Sequence, residues 1–216
     1  TVFIKEFMSI NNDSIDTILE DLRISNTAEL LIVTKNQTIK DINSLISRGF
    51  KLFGENRLQE AELKYKSLIS NNLEIHMIGP LQSNKVKKAL KIFDTIQTID
   101  RFSLVDEVGK NLSKNSVRTK NFYIQVNIGR EEQKSGIPIS DLHNLYHYSL
   151  KKNLNIKGLM CIPPNTDDSS PYFQEMTEIR DNLNRELKLS MGMSNDYKTA
   201  LNFNSDIIRV GSLIFS

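Results

Sequence analysis

The sequence predicts an α/β protein: a TIM-type (β/α)8 barrel in a single domain, with an extra N-terminal helix. Eight short strand-like runs recur along the chain, helical patterns separate them, and no composition shift marks a domain boundary within residues 1–216. Strands joined through helices return to the same edge of a sheet and are therefore parallel. Eight such units favour a closed barrel, with an open flavodoxin-like sheet as the structural alternative.

The predicted strands are rich in Ile, Val, Leu, Tyr and Phe, which favour extended backbone. They are Leu30–Lys35, Leu52–Glu55, Glu74–Gly79, Thr95–Asp100, Asn121–Ile128, Asn155–Cys161, Glu186–Gly192 and Ile207–Ile214. Each run is short, so we expect a barrel near the lower size limit of this architecture.

The predicted helices carry apolar residues three and four positions apart, the spacing of one buried helical face. The first such stripe is Ile39, Ile42, Leu45 and Ile46. Thr38 and Asp41 resemble a capping box before it. The last helix, Asn195–Phe203, is short, and none is expected after the eighth strand. We expect the amphipathic stretch Ile4–Leu22 to cover that side of the barrel or its lower end.

Composition excludes several classes of protein. Lys and Arg total 28 against 26 Asp and Glu, and a net charge of +2 gives no basic excess for nucleic acid or an anionic membrane. No apolar run approaches the ~18 residues of a membrane helix, and the first ten residues lack a signal-peptide pattern. The single cysteine, Cys161, fits a reducing compartment, so we expect a cytoplasmic location. Three scattered histidines form no metal-ligand pattern.

Lys35 is the first candidate functional residue. It ends the first predicted strand, and parallel barrels bind ligands where the carboxyl ends of their strands meet. A lysine at that edge is expected to be partly desolvated, which favours an amine that attacks an aldehyde. The alternative is that Lys35 ends a strand and points into water.

The loops at the last two predicted strands carry a candidate anion site. Gly192 ends the seventh predicted strand and Ser194 follows it, while Gly211 and Ser212 lie in the eighth. Ser194 is a good N-cap for the next helix, and glycine lets a ligand approach the backbone. These loops commonly bind phosphate in barrels, with ordinary turn glycines as the alternative.

An imine-forming lysine and a phosphate site on one barrel edge suggest pyridoxal phosphate, because that cofactor needs both. A cofactor-free Schiff-base aldolase acting on a sugar phosphate would need the same pair. Residue spacing alone therefore leaves the two chemistries open.

Several motifs in combination are typical of one family. They are Val33–Lys35, Phe53–Asn56, His76–Val86, Gln125–Ile128, Lys134–Gly136, Ser190–Ser194 and Arg209–Gly211. Through them the chain resembles the pyridoxal-phosphate homeostasis protein family, whose fold is like the N-terminal barrel domain of alanine racemase.

The resemblance implies a role for each matched residue. Lys35 would hold pyridoxal 5'-phosphate as an aldimine, and Arg209 would face the pyridine nitrogen. Three residues would bind the phosphate: Ser194, Gly211 and Ser212. Asn56 and Met193, in the matched motifs, complete the expected cofactor-binding set. No catalytic residue and no metal ligand are expected.

The resemblance also implies a function. Alanine racemase uses a second acid/base, a tyrosine from a separate β-domain, for which we expect no counterpart in residues 1–216. Racemisation is then expected to be slow or nil. The implied role is binding and delivering pyridoxal phosphate in vitamin B6 homeostasis, with a minimal amino-acid racemase as the alternative. Expected partners are the cofactor and apo-enzymes that use it, and a monomer is expected.

Overall fold

The computed structural model describes residues 10–25, 28–66, 68, 72–113 and 117–215. Within them, eight parallel strands form a closed barrel in sequence order, and β8 pairs with β1 to complete it. The strands are β1 (Glu29–Val33), β2 (Leu52–Glu55), β3 (Glu74–Met77), β4 (Thr95–Ile99), β5 (Asn121–Val126), β6 (Ile156–Cys161), β7 (Lys188–Ser190) and β8 (Ile207–Val210). The closed barrel confirms the predicted fold class.

Helices surround the barrel. They are α1 (Asn12–Ser25), α2 (Ile39–Ser47), α3 (Leu58–Tyr65), α4 (Val86–Ile92), α5 (Phe102–Leu112), α6 (Ile139–Lys151), α7 (Ser170–Leu183) and α8 (Tyr197–Asn202). The predicted capping box of α2 is confirmed: Thr38 Oγ1 accepts from the Asp41 amide at 3.2 Å, and Asp41 accepts from the Thr38 amide at 3.0 Å. No helix in the described ranges is long and apolar enough to cross a membrane.

Large side chains and glycines share the barrel interior. Leu31 and Tyr123 belong to a small apolar cluster that is separate from the core between strands and helices. A Cβ at Gly54 would lie 2.3 Å from the Leu31 side chain, and one at Gly158 would lie 2.3 Å from the Tyr123 ring. Because bulky groups such as Leu31 and Tyr123 fill the space beside these positions, the neighbouring strands contribute glycine there.

Helix α1 packs against β1 and α8, on the side of the barrel where the first and last strands meet. Its residues Ile15 and Ile18 are buried, and Asp21 accepts a 2.7 Å hydrogen bond from the Tyr197 hydroxyl on α8. On its other side, Arg48 beyond α2 forms an ion pair with Asp16 at 3.3 Å. The expected cover of the barrel side is thus confirmed from Asn12 onward, while residues 4–9 of the predicted stretch lie outside the described residues.

Candidate functional site

A cavity of about 270 Å³ opens at the carboxyl ends of the strands, and we call it the mouth cavity. All seven residues of the predicted site line it: Lys35, Asn56, Met193, Ser194, Arg209, Gly211 and Ser212. Its other lining residues include the apolar Val33, Ile78 and Ile162. The structure therefore brings the predicted residues together at the edge where parallel barrels bind ligands.

Lys35 is exposed, and the expectation that it would be partly desolvated was wrong. The reason is that β1 ends at Val33, so Lys35 stands in the loop rather than in the strand. The backbone around it is nevertheless held. The Thr34 amide donates to the Gly54 carbonyl at 3.0 Å, and the Asn36 amide, at φ +62°, donates to Glu60 Oε2 at 3.0 Å. Among the described residues, no group bonds the Lys35 amine.

A buried ion pair supports this loop from behind. Glu55 Oε1 accepts from Lys64 Nζ at 2.8 Å and from Thr34 Oγ1 at 2.7 Å, and Lys64 Nζ also donates to the Thr34 carbonyl at 2.7 Å. Burial raises the pKa of the Glu55 carboxyl, while the hydrogen bonds from Lys64 and Thr34 oppose that shift. Nothing in the sequence pattern predicts this pair, because lysine is rarely buried unless it is paired.

Arg209 brings a buried cation to the mouth cavity. It is 3% exposed, and it donates from Nη1 to Ser190 Oγ and from Nη2 to the Cys161 carbonyl, both at 2.8 Å. Burial lowers the pKa of Arg209, yet a guanidinium stays charged in proteins. Burial raises the pKa of Cys161 to about 12, as expected for a buried, unreactive thiol.

The loop after β7, which carries part of the candidate anion site, differs from its prediction in one respect. Helix α8 begins at Tyr197, so Ser194 is not its N-cap. Asp196 takes that position and accepts from the Met193 amide at 2.6 Å. The hydroxyls of Ser194 and Ser212 have no hydrogen-bond partner within the described part of the chain. Two free hydroxyls therefore line the cavity beside the two cations.

The two glycines of these loops are required for different structural reasons. Gly192 has φ +94°, and a Cβ there would lie 2.6 Å from Ala200 Cβ on α8. A Cβ at Gly211 would lie 3.0 Å from the Val33 carbonyl oxygen. Packing against β1 thus explains Gly211 without reference to a ligand, whereas the sequence suggested close approach of one.

Known proteins share both sequence and fold with this chain. The family described as alanine racemase, N-terminal domain, matches residues 17–216. The pyridoxal phosphate homeostasis protein of Aquifex aeolicus is 40% identical over 202 residues, which cover 89% of this chain and 88% of that protein. The chain belongs to the pyridoxal phosphate homeostasis protein family. Its relative in Haemophilus influenzae is 37% identical over 208 residues, covering 91% and 87% of the two chains.

Solved structures agree with membership of this family. PipY of Synechococcus elongatus, solved without PLP, matches with a TM-score of 0.84 at 29% identity, over 94% of this chain and 99% of that one. PipY with PLP bound matches with a TM-score of 0.80 over the same shares. Alanine racemase of Clostridium difficile shares the fold alone, with a TM-score of 0.73 at 12% identity over 99% of this chain and 59% of its own.

The chemistry of the mouth cavity fits pyridoxal 5'-phosphate. An unpartnered amine suits an aldehyde, and two free hydroxyls suit a phosphate. The apolar residues Val33, Ile78 and Ile162 suit the faces of an aromatic ring. The buried guanidinium of Arg209 supplies donors beyond the two that already have partners.

Proposed function

We propose that this protein binds pyridoxal 5'-phosphate in the mouth cavity and takes part in vitamin B6 homeostasis as a carrier. The observation that carries the proposal is the convergence of Lys35, Ser194, Ser212 and Arg209 on one cavity. The names of the relatives and the PLP-bound structure of PipY support it. A cytoplasmic location, a monomeric single-domain state and recipient apo-enzymes belong to the same proposal.

Each residue has a part in this proposal. Lys35 would hold the cofactor at its aldehyde carbon through the amine nitrogen. Ser194 and Ser212 would donate to the phosphate beside Gly211, and Arg209 would serve the ring nitrogen. Asn56 and Met193 line the remaining wall. The bound cofactor supplies an electron sink, which is weaker beside a guanidinium than beside a carboxylate.

The second candidate function is amino-acid racemisation, which the fold shared with alanine racemase favours. Racemisation needs an acid/base group on each face of the ring. Among the described residues that line the mouth cavity, Lys35 and Arg209 are the titratable ones. A guanidinium does not exchange protons at usable pH, so Lys35 is the one acid/base group among these lining residues. A single acid/base group favours binding over racemisation.

Covalent attachment at Lys35 is the first test. The protein is mixed with PLP, its visible absorption is recorded, and borohydride reduction is followed by peptide mapping. We expect a visible band and label on Lys35, loss of both in Lys35→Ala, and retention of both in Lys40→Ala, which changes an exposed lysine on α2. Label on another lysine in the unaltered protein would contradict the assignment, and absence of the band would favour the cofactor-free aldolase.

Turnover separates the carrier from the racemase. The PLP-loaded protein is incubated with L-alanine, and D-alanine is measured against PLP alone. We expect no D-alanine above that background. Sustained production of D-alanine that disappears in Lys35→Ala would overturn the carrier proposal.

A further inference from the structure

A chain of four hydrogen bonds crosses the barrel interior below the mouth cavity. Arg209 Nη1 bonds Ser190 Oγ at 2.8 Å, and Ser190 Oγ bonds Gln97 Oε1 at 2.7 Å. Gln97 Nε2 lies 2.7 Å from His76 Nδ1, and His76 Nε2 lies 2.8 Å from Glu74 Oε1. The chain thus joins β8, β7, β4 and β3.

The two ends of this chain lie in different surroundings. Arg209, Ser190, Gln97 and His76 are all buried. The Glu74 side chain is 52% exposed and lines a second cavity, of about 820 Å³, at the amino ends of the strands. We call this second space the floor cavity; Glu29, Lys51, Glu74, Asp94 and Lys120 are its charged residues on or next to the strands. The chain therefore spans the barrel from mouth to floor.

The chemistry of its ends gives every bond one direction. Arg209 can only donate, so Ser190 Oγ accepts that hydrogen bond and its own O–H donates to Gln97 Oε1. The Gln97 amide nitrogen must then donate to His76 Nδ1. His76 therefore carries its proton on Nε2 and donates to Glu74, whose carboxylate only accepts. This bond is the main cause that lowers the pKa of Glu74, which agrees with an ionised acceptor.

One of the two hydrogen bonds that the Arg209 guanidinium donates goes to this chain. Among the described residues, no carboxylate lies within ion-pair distance of its guanidinium, and Asp196 is the one carboxylate whose charge raises the pKa of Arg209. A buried cation without a paired anion must be satisfied by neutral acceptors, here Ser190 Oγ and the Cys161 carbonyl. A serine hydroxyl rotates freely, so its lone pairs point toward Arg209 consistently only when a further group accepts the hydrogen bond that the hydroxyl donates. Gln97 is that group.

We propose that Gln97 and His76 are positioning residues for the cofactor site, which act through Ser190 to fix the guanidinium of Arg209 toward the mouth cavity. Neither residue lines that cavity. Since the role presupposes PLP at the mouth, it rests on the proposed function. Gln97 is a fully buried polar residue of β4, and both ends of its amide are hydrogen-bonded within this chain.

Gln97→Met tests this role, because it keeps the side-chain length and removes both hydrogen bonds. Visible absorption of the PLP-loaded protein and its apparent PLP affinity are measured. We expect a shifted visible band and an affinity about tenfold lower, the size expected for one charge-assisted hydrogen bond. The matched control is Thr98→Val, which removes an equally buried 2.8 Å bond, to the Gly79 carbonyl, from the next residue of β4. The control should keep the spectrum and the affinity.

A double-mutant cycle shows whether Gln97 acts through Ser190. In a Ser190→Ala background, Gln97→Met should change the spectrum no further, because the link to Arg209 is already broken. Additive changes would overturn the role. So would a Gln97→Met spectrum identical to that of the unaltered protein. If the unaltered protein forms no visible band with PLP, the proposed function itself fails, which distinguishes the two failures.

A second pair of variants covers the case in which Gln97→Met does not fold. Glu74→Gln changes a half-exposed side chain and replaces the acceptor-only end with an amide that can also donate. Glu29→Gln removes the same charge from the same floor cavity without touching the chain. We expect a smaller spectral shift in Glu74→Gln and none in Glu29→Gln. Equal spectra in both would contradict the role.

Discussion

The mouth cavity and the floor cavity of the barrel differ in charge as well as in size. The floor cavity is the larger, but its charged side chains have both signs, and Asp94 there pairs with Arg118 at 2.8 Å. The charged residues lining the smaller mouth cavity are Lys35 and Arg209, and neither has an ion-pair partner among the described residues. Uncompensated charge of one sign beside free hydroxyls, rather than volume, is what marks a candidate anion site.

Breaking the buried pair behind the mouth should have the largest effect. Lys64→Met leaves the Glu55 carboxylate buried without its cation, which costs about 3–5 kcal/mol of unfolding free energy. At the floor, Arg118→Met should cost less, about 1–3 kcal/mol, because solvent reaches the freed Asp94 carboxylate. Urea denaturation of both variants measures the difference. Equal losses would mean that the two ends are supported in the same way.

The cost of Lys64→Met should also depend on pH. Burial raises the pKa of Glu55 in the folded protein above its value in the unfolded chain, and removing Lys64 raises it further. The folded variant therefore takes up a proton more readily than the unfolded chain as pH falls. The loss should be full at neutral pH and shrink through the acid range. A loss independent of pH would show that Glu55 is not the destabilising group.

Two glycines with the same dihedral angle give the second contrast. Gly192 at the mouth and Gly49 at the floor both have φ +94°, but a Cβ at Gly49 meets nothing within 4 Å. Gly49→Ala should lower the free energy of unfolding by about 1–2 kcal/mol, the penalty for placing alanine in a left-handed backbone conformation. Gly192→Ala adds the clash with Ala200 and should cost about 2–4 kcal/mol. Thermal and urea unfolding test the order, and a larger loss at Gly49 would contradict it.

Removing the free hydroxyls of the mouth cavity should have the smallest effect on the free energy of unfolding, but it should clearly weaken PLP binding. Ser194→Ala and Ser212→Ala each remove one charge-assisted donor, worth ~1.5–3 kcal/mol, so PLP affinity should fall roughly 10- to 100-fold. Pyridoxal, which lacks the phosphate, should bind each variant as it binds the unaltered protein. Ser103→Ala, an exposed serine on α5, is the control. Unchanged PLP affinity in both variants would place the phosphate elsewhere.

The barrel was predictable because its signals are local. Apolar runs and helical stripes located all eight strands, and errors arose mainly at strand ends, such as Lys35, where the chain leaves the sheet. His76 and Cys161, both on predicted strands, are buried in the structure. The residues of the mouth cavity could be chosen because barrel geometry brings strand ends together whatever their order in the chain.

The polar groups behind the site were not predictable in the same way. Ser190 and Gln97 are 93 residues apart, and their hydrogen bond requires the positions of β4 and β7 across the barrel. Lys64 lies on the buried face of α3, where a charged residue reads as solvent-exposed until its partner Glu55 is placed. Neither pairing has a signal in spacing along the sequence, since each depends on which side chains face inward after the ring has closed.

The seam between β1 and β8 has a thermodynamic consequence. It joins the first and last strands of the ring, and it is reinforced where Ile10 bridges Phe215. The mouth cavity lies across this seam, with Lys35 on one side and Ser212 on the other. Bringing such distant segments together carries the largest loop-closure entropy of the fold. A ligand that binds residues on both sides of this seam stabilises the folded state, adding RT ln(1 + [L]/Kd) to the free energy of unfolding. The stability of the closed barrel should therefore rise with the fraction of mouth cavities that hold a ligand.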